Sequence, residues 1–225
     1  ARSRGTRAVS EPLLRAVGLG KRFGGVVALH EVSFELAAGE VHALCGENGA
    51  GKSTLIKILG GVHPQGSYEG EIRLDGRAVA FRSTRDAEAA GIGVIHQELA
   101  LFPELSVAEN LLLGDLPRRF GLVDWDAAQL RARALLEAAG VALDPAARVA
   151  DLGVGQQQLV EIVRALARAP RILVLDEPTA ALARHEIDAL LALVRRLKAR
   201  GVACIYISHK LDEVFALADR ITVLR

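Results

Sequence analysis

Residues 46–54 read Gly46-Glu47-Asn48-Gly49-Ala50-Gly51-Lys52-Ser53-Thr54, which fits the phosphate-loop pattern G-x-x-x-x-G-K-[ST]. The flanks supply the context that the pattern needs. An apolar run at 40–45 (EVHALC) precedes it, and an amphipathic run at 52–59 follows, stopped by Gly60 and Gly61. Strand, loop and helix with a glycine stop are therefore predicted. Each residue type has a physical task in such a loop. Gly46, Gly49 and Gly51 let the backbone turn tightly and bring its N–H groups to phosphate oxygens. The N-terminus of the helix adds a dipole that favours negative charge. Lys52 supplies a point charge to the β- and γ-phosphates, and the Ser53 hydroxyl is a ligand for Mg2+.

Outward from this loop the chain alternates strands and helices. Residues 1–10, with Arg2, Arg4 and Arg7, read as a flexible flank without apolar periodicity. The first predicted strand is 31–36 (EVSFEL), joined by a small turn at 37–39 to the strand at 40–45. Beyond the loop, 71–74 with Asp75-Gly76 predicts a strand and turn, paired as a hairpin with 79–81. Ser83 and Thr84 cap a short helix ending at Gly91, and 93–95 resumes a strand. From Gln97 to about Pro170 strand signals vanish. Runs at 107–113, 127–139 and 156–169 carry helical spacing, the second with a stripe of Leu130, Ala134, Leu135 and Ala138. Residues 97–170 thus read as a helical insertion between core segments 11–96 and 171–225. Alternation then returns: strand 171–175, helix 185–200 ending at Gly201, strand 202–207, helix 210–218 and strand 221–224. Continuous apolar strands between helices predict an α/β fold with a mostly parallel sheet covered on both faces.

Further groups fall at strand ends, where a parallel sheet collects chemistry. The run 172–177 (ILVLDE) closes with Asp176, suited to Mg2+, and Glu177, suited to orienting and polarising an attacking water. His209 follows the strand at 202–207 and offers an imidazole for a γ-phosphate. Gln97 ends another strand and opens the helical insertion, so it is placed to join nucleotide and moving part. Asp151-Leu152-Gly153-Val154-Gly155-Gln156 precedes a helix and makes a second anion-binding turn, remote from the first loop. Two phosphate-binding faces on one domain imply nucleotide held between two copies.

Composition excludes several other classes. Of the 225 residues 51% are hydrophobic and 24% charged, a globular balance, and 28 basic against 27 acidic side chains leave a net charge of +1. That gives no electrostatic footprint for nucleic acid, and one Trp, two Tyr and six Phe make no stacking platform for single strands. The two cysteines, Cys45 and Cys204, sit in apolar runs and read as buried thiols of a reducing compartment. No apolar run approaches the roughly 20 residues of a membrane span, and no signal peptide is visible, so a cytosolic protein is expected.

Taken in this order, the five pieces resemble the nucleotide-binding domain of ABC (ATP-binding cassette) transporters over nearly the whole chain, from about Leu13 to Arg225. The resemblance makes residues 46–54 the Walker A motif and 172–176 Walker B. It implies Glu177 as the catalytic glutamate, Gln97 as the Q-loop glutamine, with a share in metal binding, and His209 as the switch histidine. Phe23 stands where the family stacks an aromatic on adenine. Leu152, Gly153, Val154, Gly155 and Gln156 stand for the signature that contacts ATP on the opposite domain. ATP and Mg2+ are the implied cofactors. The wording of GENGAGKST, IHQELALFPELSVAENLLLG, GQQQLVEIVRAL, DEPTAAL and ISHKLDEVFALADRITVLR is similar to bacterial monosaccharide importer ATPases of the ribose, xylose and galactose group, in which two such domains are fused. An N-terminal half is therefore expected, driving uptake of a simple sugar from the cytoplasmic face of the membrane. Its partners would be a second nucleotide-binding domain, permease subunits and, indirectly, a solute-binding protein; no nucleic acid is expected.

Two departures from the family pattern matter. The usual signature is LSGGQ, but Gly153 replaces the serine, which removes a hydrogen bond to a charged group worth about 1.5–3 kcal/mol. Ala183 stands where many members place an aspartate. Nucleoside import and a weakly hydrolysing, regulatory domain are the competing readings. A ribosome- or DNA-acting ABC protein would need a basic face or a long inserted coiled coil, and a GTPase an Asn-Lys-x-Asp-like motif; neither is evident.

Overall fold

The computed structural model describes residues 11–97 and 99–225. The flank expected at 1–10 lies outside the described residues. In chain order the elements are β1 (Leu14–Phe23), β2 (Val26–Leu36), β3 (Val41–Gly46), α1 (Lys52–Leu59), β4 (Glu69–Leu74), β5 (Arg77–Val79), α2 (Thr84–Ala89) and β6 (Ile92–Ile95). Then come α3 (Val107–Leu111), β7 (Arg118–Arg119), β8 (Leu122–Val123), α4 (Trp125–Ala139) and α5 (Val154–Leu166). The chain continues with β9 (Ile172–Asp176), α6 (Arg184–Ala199), β10 (Ala203–Ile207), α7 (Leu211–Leu217) and β11 (Arg220–Leu224).

The strands form two main sheets. β2-β1-β4-β5 is antiparallel throughout, and β11-β3-β10-β9-β6 is parallel throughout. The expected α/β fold with a mostly parallel sheet and an antiparallel part is the one observed. The central parallel strands β3, β9 and β10 are buried on both faces, as their unbroken apolar runs require, whereas the edge strand β11 leaves Ile221 and Val223 exposed. Leu173, Leu175, Cys204 and Tyr206 pack into one core with α3, α4, α5 and α6. Their neighbours Ile172, Val174, Ile205 and Ile207 pack into the other, with α1 and the antiparallel sheet. A buried seam joins the sheets. His42 of β3 contacts the Glu35 carbonyl of β2 through Nδ1 at 2.9 Å and the Thr222 hydroxyl of β11 through Nε2 at 2.8 Å. A carbonyl only accepts, so the ring carries its proton on Nδ1.

Four expectations need correction. β1 has no counterpart in the predicted strands. It carries register shifts against β2 between Ala16 and Arg22, with Gly18 at φ 59°. Bulges break the alternation by which a strand is recognised. The buried face of α4 is Ala128, Ala132, Leu136 and Ala139, whereas Leu130 is 67% exposed. Apolar residues on α4 fit two overlapping 3.6-residue stripes, and the tertiary partner selects between them. The 97–170 segment also holds the small hairpin β7-β8, and Cys45 is partly exposed while Cys204 is buried; both thiols are free.

Candidate functional site

Four neighbouring strands of the parallel sheet, β3, β10, β9 and β6, end on one edge, and the predicted chemical residues follow them. β3 runs into the phosphate loop, β10 into Ser208 and His209, β9 into Asp176 and Glu177, and β6 into Gln97. β10 lies between the phosphate-loop strand and the acidic strand, so His209 projects from the middle of the row. A cleft of about 340 Å³ opens there, lined by Ala28, Asn48, Gly49, Gly51, Lys52, Ser53, Thr54, Gln97, Asp176 and Glu177. The edge beyond the carboxyl ends of parallel strands is where α/β sheets bind ligands.

The loop geometry follows from its glycines. Gly51 has φ 92° and its Cα faces the Ala28 carbonyl, so an added Cβ would lie 2.3 Å from that oxygen. Gly49, at φ 87°, is also in the left-handed region. α1 begins immediately afterwards at Lys52, and the N–H groups of its first turn have no acceptor within the helix. Lys52 Nζ donates to the Gly46 and Glu47 carbonyls at 2.8 and 2.9 Å, which holds its charge against the loop. Cation, free N–H groups and helix dipole converge on the cleft, the combination that binds phosphate.

The opposite wall is acidic. Burial, reinforced by the neighbouring Glu177 charge, pushes the Asp176 carboxyl above its ordinary range, with His96, Lys52 and Lys57 opposing. Glu177 adopts φ 47°, a left-handed conformation uncommon outside glycine, and its N–H donates to the Ile207 carbonyl at 3.0 Å. His209 Nδ1 lies 3.6 Å from Glu177 Oε2. A divalent cation fits this wall: adjacent carboxylates need positive charge, and the Asp176 carboxylate, Ser53 hydroxyl and Gln97 amide border one cleft. No group of three or more His, Cys, Asp or Glu side chains forms a complete metal cage among the described residues. Mg2+ matches this partial set, because it keeps water and phosphate ligands rather than an all-protein shell.

Other predicted residues lie apart from the cleft lining. Phe23 ends β1, 46% exposed, with its ring 5.4 Å from His63. Leu152, Gly153, Val154, Gly155 and Gln156 form the turn into α5, where the Gly153 N–H donates to Gln156 Oε1 at 3.2 Å. That end of α5 packs on α6: the space a Gly155 Cβ would take is filled by the Glu186 carboxylate, which also accepts from the Ala183 N–H at 2.8 Å. Further along α5, Arg164 donates to the Ala100 carbonyl at 2.7 Å and Glu161 accepts from the Ala100 N–H at 3.3 Å. The helix that starts at the signature turn therefore grips the chain three residues after Gln97. Ala28 is a cleft residue that sequence reasoning missed. It contributes through its backbone carbonyl, for which a side chain carries no signal.

Comparison with known proteins agrees with this geometry. Residues 29–180 match the family model described as ABC transporter. The chain belongs to the ABC transporter family. This ABC domain is 56% identical over 205 residues to the xylose import ATP-binding protein XylG of Moorella thermoacetica, covering 91% of this chain and 41% of that protein. It is 56% identical over 215 residues to the ribose import ATP-binding protein RbsA 1 of Rubrobacter xylanophilus, covering 95% and 42%. The chain thus spans about two fifths of the length of the curated relatives it matches. Among solved structures it resembles a nucleotide-free ATP-binding cassette from an ABC transporter, with TM-score 0.84, 28% identity and coverage of 95% and 88%. It also resembles a dimeric cassette in a post-hydrolysis state bound to ADP and Pi, with TM-score 0.77, 26% identity and coverage of 94% of each chain. The ABC domain has the P-loop fold of these ATP-binding cassettes. Among the described residues no helix is long and apolar enough to cross a membrane.

Proposed function

We propose that this ABC domain is half of an importer ATPase that binds Mg-ATP in the cleft and hydrolyses it to drive uptake of a simple sugar. One observation supports this most: a chain 56% identical to xylose and ribose import ATP-binding proteins gathers its phosphate loop and both acids in one cleft. Gly46, Glu47, Asn48, Gly49, Ala50, Gly51 and Thr54 wrap the phosphates, while Lys52 holds the β- and γ-oxygens. Ser53, Asp176 and Gln97 would hold Mg2+, which would neutralise charge building on the transferred phosphoryl group. Glu177 orients and polarises the attacking water, and His209 supports it from 3.6 Å while facing the γ-phosphate. Phe23 stacks on the adenine.

The signature, Leu152 to Gln156, completes the site of a second nucleotide-binding domain, with which this one closes face to face. Residues 97–170 form a helical subdomain inserted in the core 11–96 and 171–225. It passes the motion to permease subunits at the cytoplasmic face of the membrane, and a solute-binding protein delivers the sugar to them. Gly153 favours a second reading, weak or regulatory hydrolysis at the site this signature serves. The experiment is uptake by vesicles holding the full-length protein and its permease, supplied with internal ATP, external solute-binding protein and labelled xylose, ribose, galactose or a nucleoside. Sugar uptake that depends on Glu177 is expected. Uptake of the nucleoside alone would replace the sugar reading.

A further inference from the structure

Beneath the acidic wall lies a buried polar cluster that hydrolysis, as described, does not use. Its centre is Glu213 on α7, only 5% exposed. One carboxylate oxygen, Oε2, accepts three hydroxyls: Thr179 Oγ1 at 2.7 Å, Tyr206 Oη at 2.9 Å and Ser208 Oγ at 3.2 Å. All three donors are themselves buried. Lys210 reinforces the knot, with Nζ donating to the Thr179 carbonyl at 2.8 Å and lying 3.5 Å from Glu213 Oε1, while its N–H donates to Ser208 Oγ at 3.0 Å.

The chain positions of these donors give the cluster a meaning beyond stability. Thr179 lies two residues after Glu177, on the loop that leaves β9. Ser208 lies immediately before His209, on the loop that leaves β10. Two catalytic side chains on separate loops are therefore referenced to a single oxygen on a third element. Glu177 sits in left-handed backbone, a conformation that persists only where its surroundings over-determine it. Two ties do so: the Glu177 N–H to the Ile207 carbonyl, and Thr179 to Glu213.

We infer that Glu213 is a positioning residue for ATP hydrolysis, fixing the spacing of Glu177 and His209 by holding Thr179 and Ser208 on one carboxylate. This inference rests on the roles proposed for Glu177 and His209. Glu213 touches no nucleotide, so its loss acts on turnover rather than on binding.

The test uses the full-length protein and steady-state Mg-ATP hydrolysis. Glu213→Leu, which removes the acceptor, is expected to lower kcat about 10- to 100-fold, the usual cost of a small misplacement of reacting groups, with KM changed less than about twofold. Glu213→Gln keeps one acceptor oxygen and should recover part of the rate. Thr179→Val removes a single donor at almost constant volume and should lower kcat in the same manner, whereas Thr179→Ser should restore it. In a Glu177→Gln background Glu213→Leu should add little, because the group it positions is already lost. Three results would overturn the inference: unchanged kcat with a lowered melting temperature, a rise in KM alone, or effects of Glu213→Leu and Glu177→Gln that multiply independently. Glu177→Gln and His209→Ala run in parallel identify a different failure. If neither lowers kcat, the site assignment falls and the inference falls with it.

Discussion

Gly51 is the residue where loop conformation and neighbouring chain leave least freedom. Its φ of 92° disfavours any L side chain, and a Cβ would meet the Ala28 carbonyl at 2.3 Å and Leu29 Cδ2 at 2.6 Å. Gly51→Ala should therefore destabilise the fold by about 1–3 kcal/mol through backbone strain alone. It should also weaken ATP binding, because relief requires moving the first turn of α1. Thermal denaturation and nucleotide titration check both effects. The residues that border the cleft were largely legible in the sequence. A phosphate loop needs particular residue types at fixed spacing, and an apolar strand ending in two acids is rare enough to stand out beside it. Ala28 and Glu213 were not legible in the same way. Ala28 acts through a carbonyl that any residue would supply. Glu213 reads as an ordinary acid in the first turn of a short helix until the topology places Thr179, Tyr206 and Ser208 around it.

Elements divide between those with local signals and those set by tertiary partners. α2 was predicted from Ser83, and its capping pair is complete: Ser83 Oγ accepts from the Asp86 N–H, and Asp86 returns a bond to the Ser83 N–H at 3.0 Å. β1 was missed because bulges and glycines interrupt it. The spacing marks α4 as a helix but not its buried face, since alanines make several faces apolar and only the neighbouring helices decide which is covered. The corrected face has a direct test. Leu136→Ala should cost about 2–5 kcal/mol, because Leu136 is 2% exposed in the core. Leu130→Gln, at an exposed position, should change stability by less than about 0.5 kcal/mol. Chemical denaturation of the two variants compares them; the reverse ranking would restore the stripe read from sequence alone.

At the scale of the whole molecule, the two sheets are joined through groups that sense pH. Burial pushes His42 below the ordinary histidine range, against opposing contributions from the Glu35 carbonyl and Glu40. The unfolded chain therefore takes up this proton first as pH falls. His42 contributes no pH slope well above about pH 6.5 and removes stability as pH drops below that value. His63, also depressed by burial and by Lys21 and Lys57, adds to the same slope. Burial alone would raise Glu40, but Arg220 and the Ala37 N–H outweigh it and hold the carboxyl below its ordinary range, so the stability it contributes persists until the pH is more acidic still. Melting temperatures from pH 7.5 to 5 should fall more steeply in the parent than in His42→Gln, and equal slopes would contradict the role of this seam.

The signature turn at 152–156 is not among the residues that line the cleft, so the proposed site is one face of two. The most direct measurement is steady-state Mg-ATP hydrolysis by this domain against its own concentration, with Glu177→Gln as control. Specific activity is predicted to rise with concentration as a second copy supplies its signature. Glu177→Gln should reduce that activity by about 10²–10⁴-fold, the range for loss of a general base, while ATP binding is retained. ATP binding with activity near zero at every concentration would contradict hydrolysis by paired copies of this domain, and activity unaffected by Glu177→Gln would contradict the site.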